Sequence, residues 1–494
     1  MRSAALSAAR LALLAGPAVL SFFSGGYFSE ARTWAGFGAW LLVIVGLLAE
    51  RRPLPRGRLA WLAIGGLAGF AAWTLLSVTW APIAGSAYGY GQIAVLYTGV
   101  LLAAAILLRP REVGSLAEPA MAAGALIVIG YGLSERLIPG VLHFAHSISA
   151  QGRLEQPLTY WNAMGEMAAL GFVLCAALAG GSTRPRRLRA AAAAAAVPLA
   201  VGLYIAFSRG ALFACAAGLV TLVILAPRRE QLRSIAIVLV AALVAWLVVA
   251  PMHGFTSMSG SLSTREFEGA IVFAVIVLLA AAAAALQLRE AARGPTGQIE
   301  LPRRAPAIAV AVIAAGLALA IVVGAKEGSP AKLSGGAARL GTLQSNRYDY
   351  WRVALKAFDA EPLRGVGAGG WAVWWLRDRN INAFAQDAHS LPLQTLAELG
   401  VVGIALLALF LGAMAVVAGR AHRLAPALAA GPAAAFATYV AHSPLDWDWE
   451  MPAVTLIAMI LGGALIAMAD DQSSSAIRGA SRRKIQTAST QTST

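Results

Sequence analysis

Residues 452–468 read PAVTLIAMILGGALIAM, without one charged side chain. A helix of that length sits at the ~17-residue lower limit for crossing the ~30 Å of hydrocarbon in a bilayer. It has no polar face to offer water, so it belongs in a membrane or deep in a large core. Thirteen more stretches of the same kind decide between the two. They lie at 8–24, 33–49, 59–77, 93–109, 115–134, 163–180, 190–206, 210–227, 234–251, 268–286, 306–324, 396–418 and 424–441, with 452–468 the last of the fourteen. Of the 494 residues, 59% are apolar and 13% charged, and mean hydropathy is +0.69. Soluble domains are about half apolar and about a quarter charged. A water-soluble enzyme, a disordered chain and a disulfide scaffold are thereby excluded. The expectation is an all-α polytopic membrane protein with about 12–14 transmembrane helices, fourteen by this count. Cys175 and Cys215 both fall inside apolar runs and are read as packing residues.

A net charge of +15 resembles a nucleic-acid signal, but its distribution is that of a topology signal. With the N-terminus placed in the cytoplasm, 25 basic residues fall in inside loops and termini. Arg51, Arg52, Arg56 and Arg58 form one cluster; Arg184, Arg186, Arg187 and Arg189 form another. The short outer loops hold five, namely Arg32, Arg136, Arg153, Arg209 and Arg265. Cytoplasmic loops carry the excess of Lys and Arg. A multi-pass protein of the cytoplasmic (inner) membrane with both termini inside is therefore expected, and no nucleic-acid partner. Arg2 and Arg10 precede the first apolar run without a small-x-small cleavage site, so that run reads as an uncleaved helix.

The chain divides into helices over 1–324, a long extracytoplasmic (periplasmic) loop over 325–395, helices over 396–470, and a disordered cytoplasmic tail over 471–494. Long loops among short ones are usually functional or disordered. Tyr348, Trp351, Leu355 and Phe358 recur in that loop at helical spacing, opposed by Arg352 and Lys356. Trp371, Trp374 and Trp375 follow. Two readings compete: an amphipathic helix on the membrane surface, or a small packed domain.

Ionisable groups at membrane depth are costly, which makes them functional candidates. Arg209 lies between two apolar runs with almost no loop, Glu166 one turn into its span, Arg265 in a short outer loop, and Arg347 just ahead of the amphipathic stripe. The bland alternative for Arg209 is a snorkelling anchor. Five of six histidines fall outside, and three share an Ala-His-Ser triplet at 145–147, 388–390 and 441–443. A neutral imidazole can act as a base. His442 opens a segment with Asp446, Asp448 and Glu450, interleaved with Trp447 and Trp449. Those acids are read as facing water beside an aromatic belt rather than as a metal site. No zinc spacing, P-loop or dinucleotide fingerprint occurs, which argues against an ATP-driven transporter.

In order along the chain, these segments resemble the O-antigen ligase and polymerase superfamily of bacterial membrane glycosyltransferases. The match rests on Arg347, Trp351, the turn Pro362-Leu363-Arg364-Gly365-Val366-Gly367, the triplet Ala388-His389-Ser390, and then Leu393, Glu398, Gly400 and Gly403. Ser208-Arg209-Gly210, the stretch from Arg153 to Asn162, and more loosely Ser77 to Trp80 add to it. Ser390 departs from the usual Asn. The resemblance implies that a glycan on a polyprenyl-diphosphate donor is transferred, outside the cell membrane, to the hydroxyl of a lipid or cell-wall glycan acceptor. It implies His389 as general base and Arg209, Arg265 and Arg347 as diphosphate ligands, since Arg presents a rigid fork of donors. Asp387 and Glu398 become possible orienting partners, and Arg153 and Asn162 possible supporting residues. It implies no cofactor and no metal. A polymerase of the same superfamily differs only in acceptor, and a non-catalytic lipid or glycan transporter would use the same cationic cavity without His389.

Overall fold

The computed structural model describes residues 2–109, 111–294, 297–327 and 336–471. Of the expected tail, 471–494, all but residue 471 lies outside the described residues, as do residues 328–335 of the long loop. The structure is all-α, with no strand among the described residues. The helices before the long loop are α1 (Arg2–Ser21), α2 (Ser29–Ala49), α3 (Arg58–Leu76), α4 (Ala84–Leu107), α5 (Arg111–Gly114), α6 (Ala117–Leu137), α7 (Trp161–Gly180), α8 (Arg186–Ile205), α9 (Arg209–Leu225), α10 (Arg229–Val249), α11 (His253–Thr256), α12 (Leu262–Ala292) and α13 (Ala305–Glu327). The loop carries α14 (Arg347–Ala360) and α15 (Trp371–Asp378), followed by α16 (Leu391–Leu424), α17 (Pro426–His442) and α18 (Pro452–Asp471). Every one of the fourteen apolar stretches falls on a helix. Eleven helices among the described residues are long and apolar enough to cross a membrane; α9, with 17 residues, is shorter.

The two most buried helices lie at the centre. α7 is buried along its whole length and α18 over 94% of its apolar window, whereas α2 and α12 are buried over 17% of theirs. A helix apolar all round, with no polar face, can be surrounded by other helices. α7 packs against α6, α8, α9, α10 and α17, and α18 against α4, α16 and α17. Cys175 and Cys215 are free thiols in this core, as expected.

Arginines and acids tie one end of the bundle together. Arg10 pairs with Glu50 at 2.7 Å and Arg184 with Glu118 at 2.6 Å. Asp470 accepts the backbone N–H groups of Arg56 and Gly57 at 2.9 and 2.7 Å, and is also bonded by Arg109. The opposite end carries α14, α15 and the loops of the candidate site.

The part of the long loop from α14 onward is a packed unit. Trp371 and Trp375 are fully buried, stack with ring centroids 5.6 Å apart, and share a core with Tyr350, Val353, Ala354 and Ala357. Each large apolar side chain removed from water in this way contributes about 2 kcal/mol. Trp371 and Trp375 therefore form the core of a small packed unit. The buried face of α14 also differs from the expected stripe: Leu355 is 46% exposed and Tyr348, Trp351 and Phe358 are half-buried. The small residues Val353, Ala354 and Ala357 let α14 approach α16 closely, and the bulky aromatics line its flank.

A break in α16 receives the glycine-rich turn. Gly400 has φ +64°, and its helix kinks there. The turn at 362–367 fills the gap: Val366 N–H donates to Ala397 O at 3.0 Å, Gly367 N–H to Glu398 O at 2.8 Å, and Val401 N–H to Pro362 O at 2.9 Å. Backbone groups orphaned by the kink are thus satisfied by the loop. A Cβ on Gly365, itself at φ +69°, would stand 2.2 Å from Glu398 C. Spacing between Gly365 and Gly400 is a docking requirement that fixes α16 under the loop.

Candidate active site

Arg347, the first residue of α14, donates to Asp446 Oδ2 at 2.6 Å. Tyr160 O–H donates to Asp446 Oδ1 at 2.7 Å, and Asn162 Nδ2 donates to the Tyr160 oxygen at 2.7 Å. Three distant segments thus meet on one carboxylate that is 1% exposed. Burial opposes ionising Asp446, but the Arg347 guanidinium and the nearby imidazoles hold it below the usual range. Burial likewise disfavours the Arg347 cation, and Asp446 more than offsets it. The pair is charged, and Asp446 fixes the direction of the guanidinium.

His389 lies in the loop ahead of α16, with left-handed backbone at φ +53°. Such a conformation is unusual outside glycine and marks a constrained position. Its Nδ1 lies 2.9 Å from Asp387 O. A carbonyl only accepts, so Nδ1 carries the proton and Nε2 keeps its lone pair. Burial, with the Arg347 cation adding to it against the pull of Asp446, lowers the pKa below its ordinary value. The ring is therefore neutral near pH 7 and free to take a proton at Nε2. It packs near Tyr350 and Trp447, at centroid distances of 5.2 and 5.9 Å. Leu391 N–H donates to Ser443 O at 2.9 Å, which ties this loop to the one bearing Asp446.

More arginines converge on the same place. Arg153, 2% exposed, lies 3.8 Å over the Trp161 ring, with Nε and Nη2 on Ala150 O and Ser149 O at 2.9 Å and Nη1 without a partner. Arg209 Nη2 donates to Gln344 O at 3.1 Å. Arg339, on the short turn Gly336–Gly341, interacts with both Arg347 and Arg209. Burial lowers Arg153 to about 9 and Arg339 to about 10, and the neighbouring guanidiniums add to both shifts. Four cations held beside one another against a single paired acid, Asp446, form a seat for a polyanion.

The structure brings together His389, Arg209, Arg347, Arg153 and Asn162. Arg265 stands apart, in the first turn of α12 beside Arg136. The Asp387 side chain accepts from Tyr90 and from Gln394, the latter at 3.0 Å, so only its backbone oxygen orients His389. Glu398 accepts from Trp371 N–H at 3.2 Å and supports the loop rather than the imidazole. Ser390 occupies the N-cap of α16 without making a side-chain cap bond.

The acids after His442 do not face water. Asp446, Asp448 and Glu450 are 1%, 0% and 5% exposed. His442 Nδ1 pairs with Asp448, and Glu166 lies 3.9 Å from the same nitrogen. Gln394 bridges Asp387 and Glu450. Trp447 packs on Tyr160 and Tyr27 rather than in a lipid-facing belt. Sequence reasoning missed Asp446, Tyr160 and Arg339. The alternation of Asp446, Trp447, Asp448 and Trp449 was the available signal for the first, since acids interleaved with large aromatics are readily enclosed. Nothing in the local sequence marks Arg339.

Fold and site together define a multi-pass membrane protein with a cationic, histidine-bearing cluster at one end of its helical bundle. Residues 194–408 match the family model described as O-antigen ligase. The matched region includes Arg209, Arg339, Arg347 and His389, while Arg153, Tyr160 and Asp446 lie outside it. No curated protein matches the chain.

Proposed function

We propose that this protein is a ligase-type glycosyltransferase that moves a glycan from a polyprenyl-diphosphate carrier to an acceptor hydroxyl. The observation that carries the reading is the neutral His389 under the influence of Arg347, around which Arg153, Arg339 and, through Arg339, Arg209 gather. The acceptor oxygen attacks the anomeric carbon of the donor sugar and the bond from that carbon to the diphosphate oxygen breaks. Its electron pair leaves on the diphosphate. The hydroxyl proton passes to His389 Nε2. Negative charge grows on the leaving diphosphate, where guanidinium forks act in place of a metal ion. Asp446 keeps Arg347 aimed, and Asp387 O keeps the imidazole in the basic tautomer. Arg265, next to Arg136, is left outside the donor site.

The excess of Arg at the opposite end of the bundle supports a cytoplasmic position for that end and for both termini, so the pocket faces outward from the inner membrane. No ATP is available there, and an activated lipid carrier supplies its own leaving group. A polymerase would keep every residue above and change only the acceptor. A transporter would have no use for the His389 tautomer. The test is glycan transfer in vitro by the purified protein from a defined lipid-linked donor, with a chelator in one arm. Transfer that survives chelation supports the reading. Transfer abolished by chelator and restored by a divalent ion assigns the charge stabilisation to a metal instead.

A further inference from the structure

An apolar groove of about 950 Å³ runs between α1 and α2 at the edge of the bundle, floored by α4 and α18. Its walls carry small residues such as Gly16, Ala35 and Gly38, and its floor includes Leu96 and Ile460. A Cβ placed on Gly16 or Gly38 would meet nothing within 4 Å. The lining from Glu30 to Leu42 on α2 covers about 18 Å at 1.5 Å per residue, more than half the ~30 Å hydrocarbon thickness. Ser24 and Glu30 are polar, and both lie at the end nearest the candidate site. Phe28 and Trp34, 62% and 71% exposed, stand on the rim. Such a groove opens sideways to the bilayer, so a chain enters it without leaving the membrane.

The mouth of the groove is joined to the active site by direct contacts. The turn between α1 and α2 holds Tyr27, whose hydroxyl donates to Gln386 at 2.9 Å and whose ring meets Trp447 at 5.3 Å. Trp447 meets Tyr160 at 4.6 Å, and Tyr160 bonds Asp446, the partner of Arg347. Arg32 donates to Tyr27 O at 3.4 Å and leaves its Nε buried without a partner. Arg32 does not line the groove and lies against Gly89 of α4; the charged residue of the lining is Glu30, and the link to the candidate site runs through Tyr27. In a lipid diphosphate the hydrocarbon tail is bonded to the phosphate itself, so the tail must end where the phosphate-binding arginines begin. We infer that this groove seats the isoprenoid tail of the donor and delivers its diphosphate past Tyr27 to the arginine cluster. The inference rests on the transfer reading above and names where the lipid part of that substrate sits. A tail leaving bilayer for groove gains no hydrophobic energy, since lipid is as apolar as leucine. The groove acts by orienting the diphosphate.

The experiment compares Gly38→Trp and Gly16→Trp, which fill the groove, with Val277→Trp on the exposed face of α12, where Val277 is 48% exposed. Each is assayed with a long-chain and a short-chain isoprenoid diphosphate donor. The groove variants are expected to raise KM for the long-chain donor roughly tenfold, with kcat and the short-chain KM unchanged and Val277→Trp silent. A rise in acceptor KM instead assigns the groove to the acceptor lipid. Equal losses with both donors, or no loss with either, overturn the inference. A photoreactive long-chain isoprenoid diphosphate gives a readout independent of turnover. Labelling centred on α1 and α2 and lost in Gly38→Trp supports the groove even if transfer fails in every variant, in which case the transfer reading falls alone. Labelling spread over all lipid-facing helices removes the groove.

Discussion

Ala388-His389-Ser390 and Ala441-His442-Ser443 are the same three residues in two different environments. His389 stands in a loop with left-handed backbone, its Nδ1 on a carbonyl and the Arg347 cation acting on its ring. His442 ends α17, is 0% exposed, and has its Nδ1 on the Asp448 carboxylate. The atom bonded to Nδ1 separates their roles. A carbonyl oxygen fixes the tautomer and leaves a neutral base; a carboxylate binds the ring into a buried ion pair. His442 also braces the backbone that carries Arg209: a Cβ on Gly210 would stand 2.9 Å from His442 Nε2. One histidine is available to a substrate, and the other holds the frame around it.

The comparison breaks most directly at His389. His389→Ala is expected to lower transfer by ~10²–10⁴, the usual cost of losing a positioned general base. His389→Gln should fail as well, because an amide hydrogen-bonds without taking the proton. Donor binding, measured separately, should persist in both. Transfer by His389→Ala near the wild-type rate would sink the base assignment and favour the transporter. The pH profile sharpens the same point. The base works unprotonated and its pKa lies below 6.5, so kcat should hold at neutral pH and fall only as pH drops through that lowered value.

His442→Ala should act on folding. Removing one partner of a buried pair leaves Asp448 uncompensated, at a cost of roughly 3–5 kcal/mol. The expected result is a lower Tm and lower yield, with residual activity tracking the folded fraction. The burial of Asp448 sets this expectation. A stable His442→Ala protein with no transfer would move the base to His442.

Arg209 comes next in size. Arg209→Lys keeps the charge and loses the fork, while Arg209→Ala loses both. A charge-assisted hydrogen bond contributes about 1.5–3 kcal/mol, so donor affinity should fall by about ten- to a hundredfold in Arg209→Ala and less in Arg209→Lys. Full activity in Arg209→Ala would leave Arg209 as an anchor of the α9 end.

The helices were legible because a bilayer imposes length and apolarity on every crossing, and eleven helices among the described residues carry both. Gly365 and Gly400 were visible as a motif, but their purpose required seeing the turn lodged in the kink of α16. Arg209, Arg347 and His389 were found by type and order. Asp446 was misjudged because exposure of an acid depends on what packs over it, here Tyr160 and Trp447, hundreds of residues apart in sequence. Arg265 was grouped with the other outer arginines by topology alone. Sharing one end of the bundle does not bring a side chain into one pocket, and Arg136 holds its own place between the 152 and 255–256 carbonyls.

The third triplet supplies the smallest effect and the control for the other two. His146 lies between Glu135 and Glu155, with Nε2 2.8 Å from Glu135 Oε2 and Nδ1 3.2 Å from Glu155 Oε1. Its side chain is 30% exposed, so the pair is partly screened and is worth at most about 1 kcal/mol. The hydrogen bond to Glu155 raises the His146 pKa, and the Glu135 charge adds to it against the opposing effect of burial. A raised folded-state pKa means that the stabilisation is fully present below the unfolded value of about 6.5 and is lost as pH rises through the folded value. His146→Ala should therefore lower Tm by a few degrees at about pH 5.5 and by less at about pH 8.5. Transfer at neutral pH should stay near wild type. Melting curves at the two pH values, run beside the transfer assay, test both halves. A Tm deficit that grows with pH would show that the neutral ring, and not the ion pair, is what stabilises this loop. A large loss of transfer in His146→Ala would mean that the distinction drawn between the three histidines rests on the wrong feature.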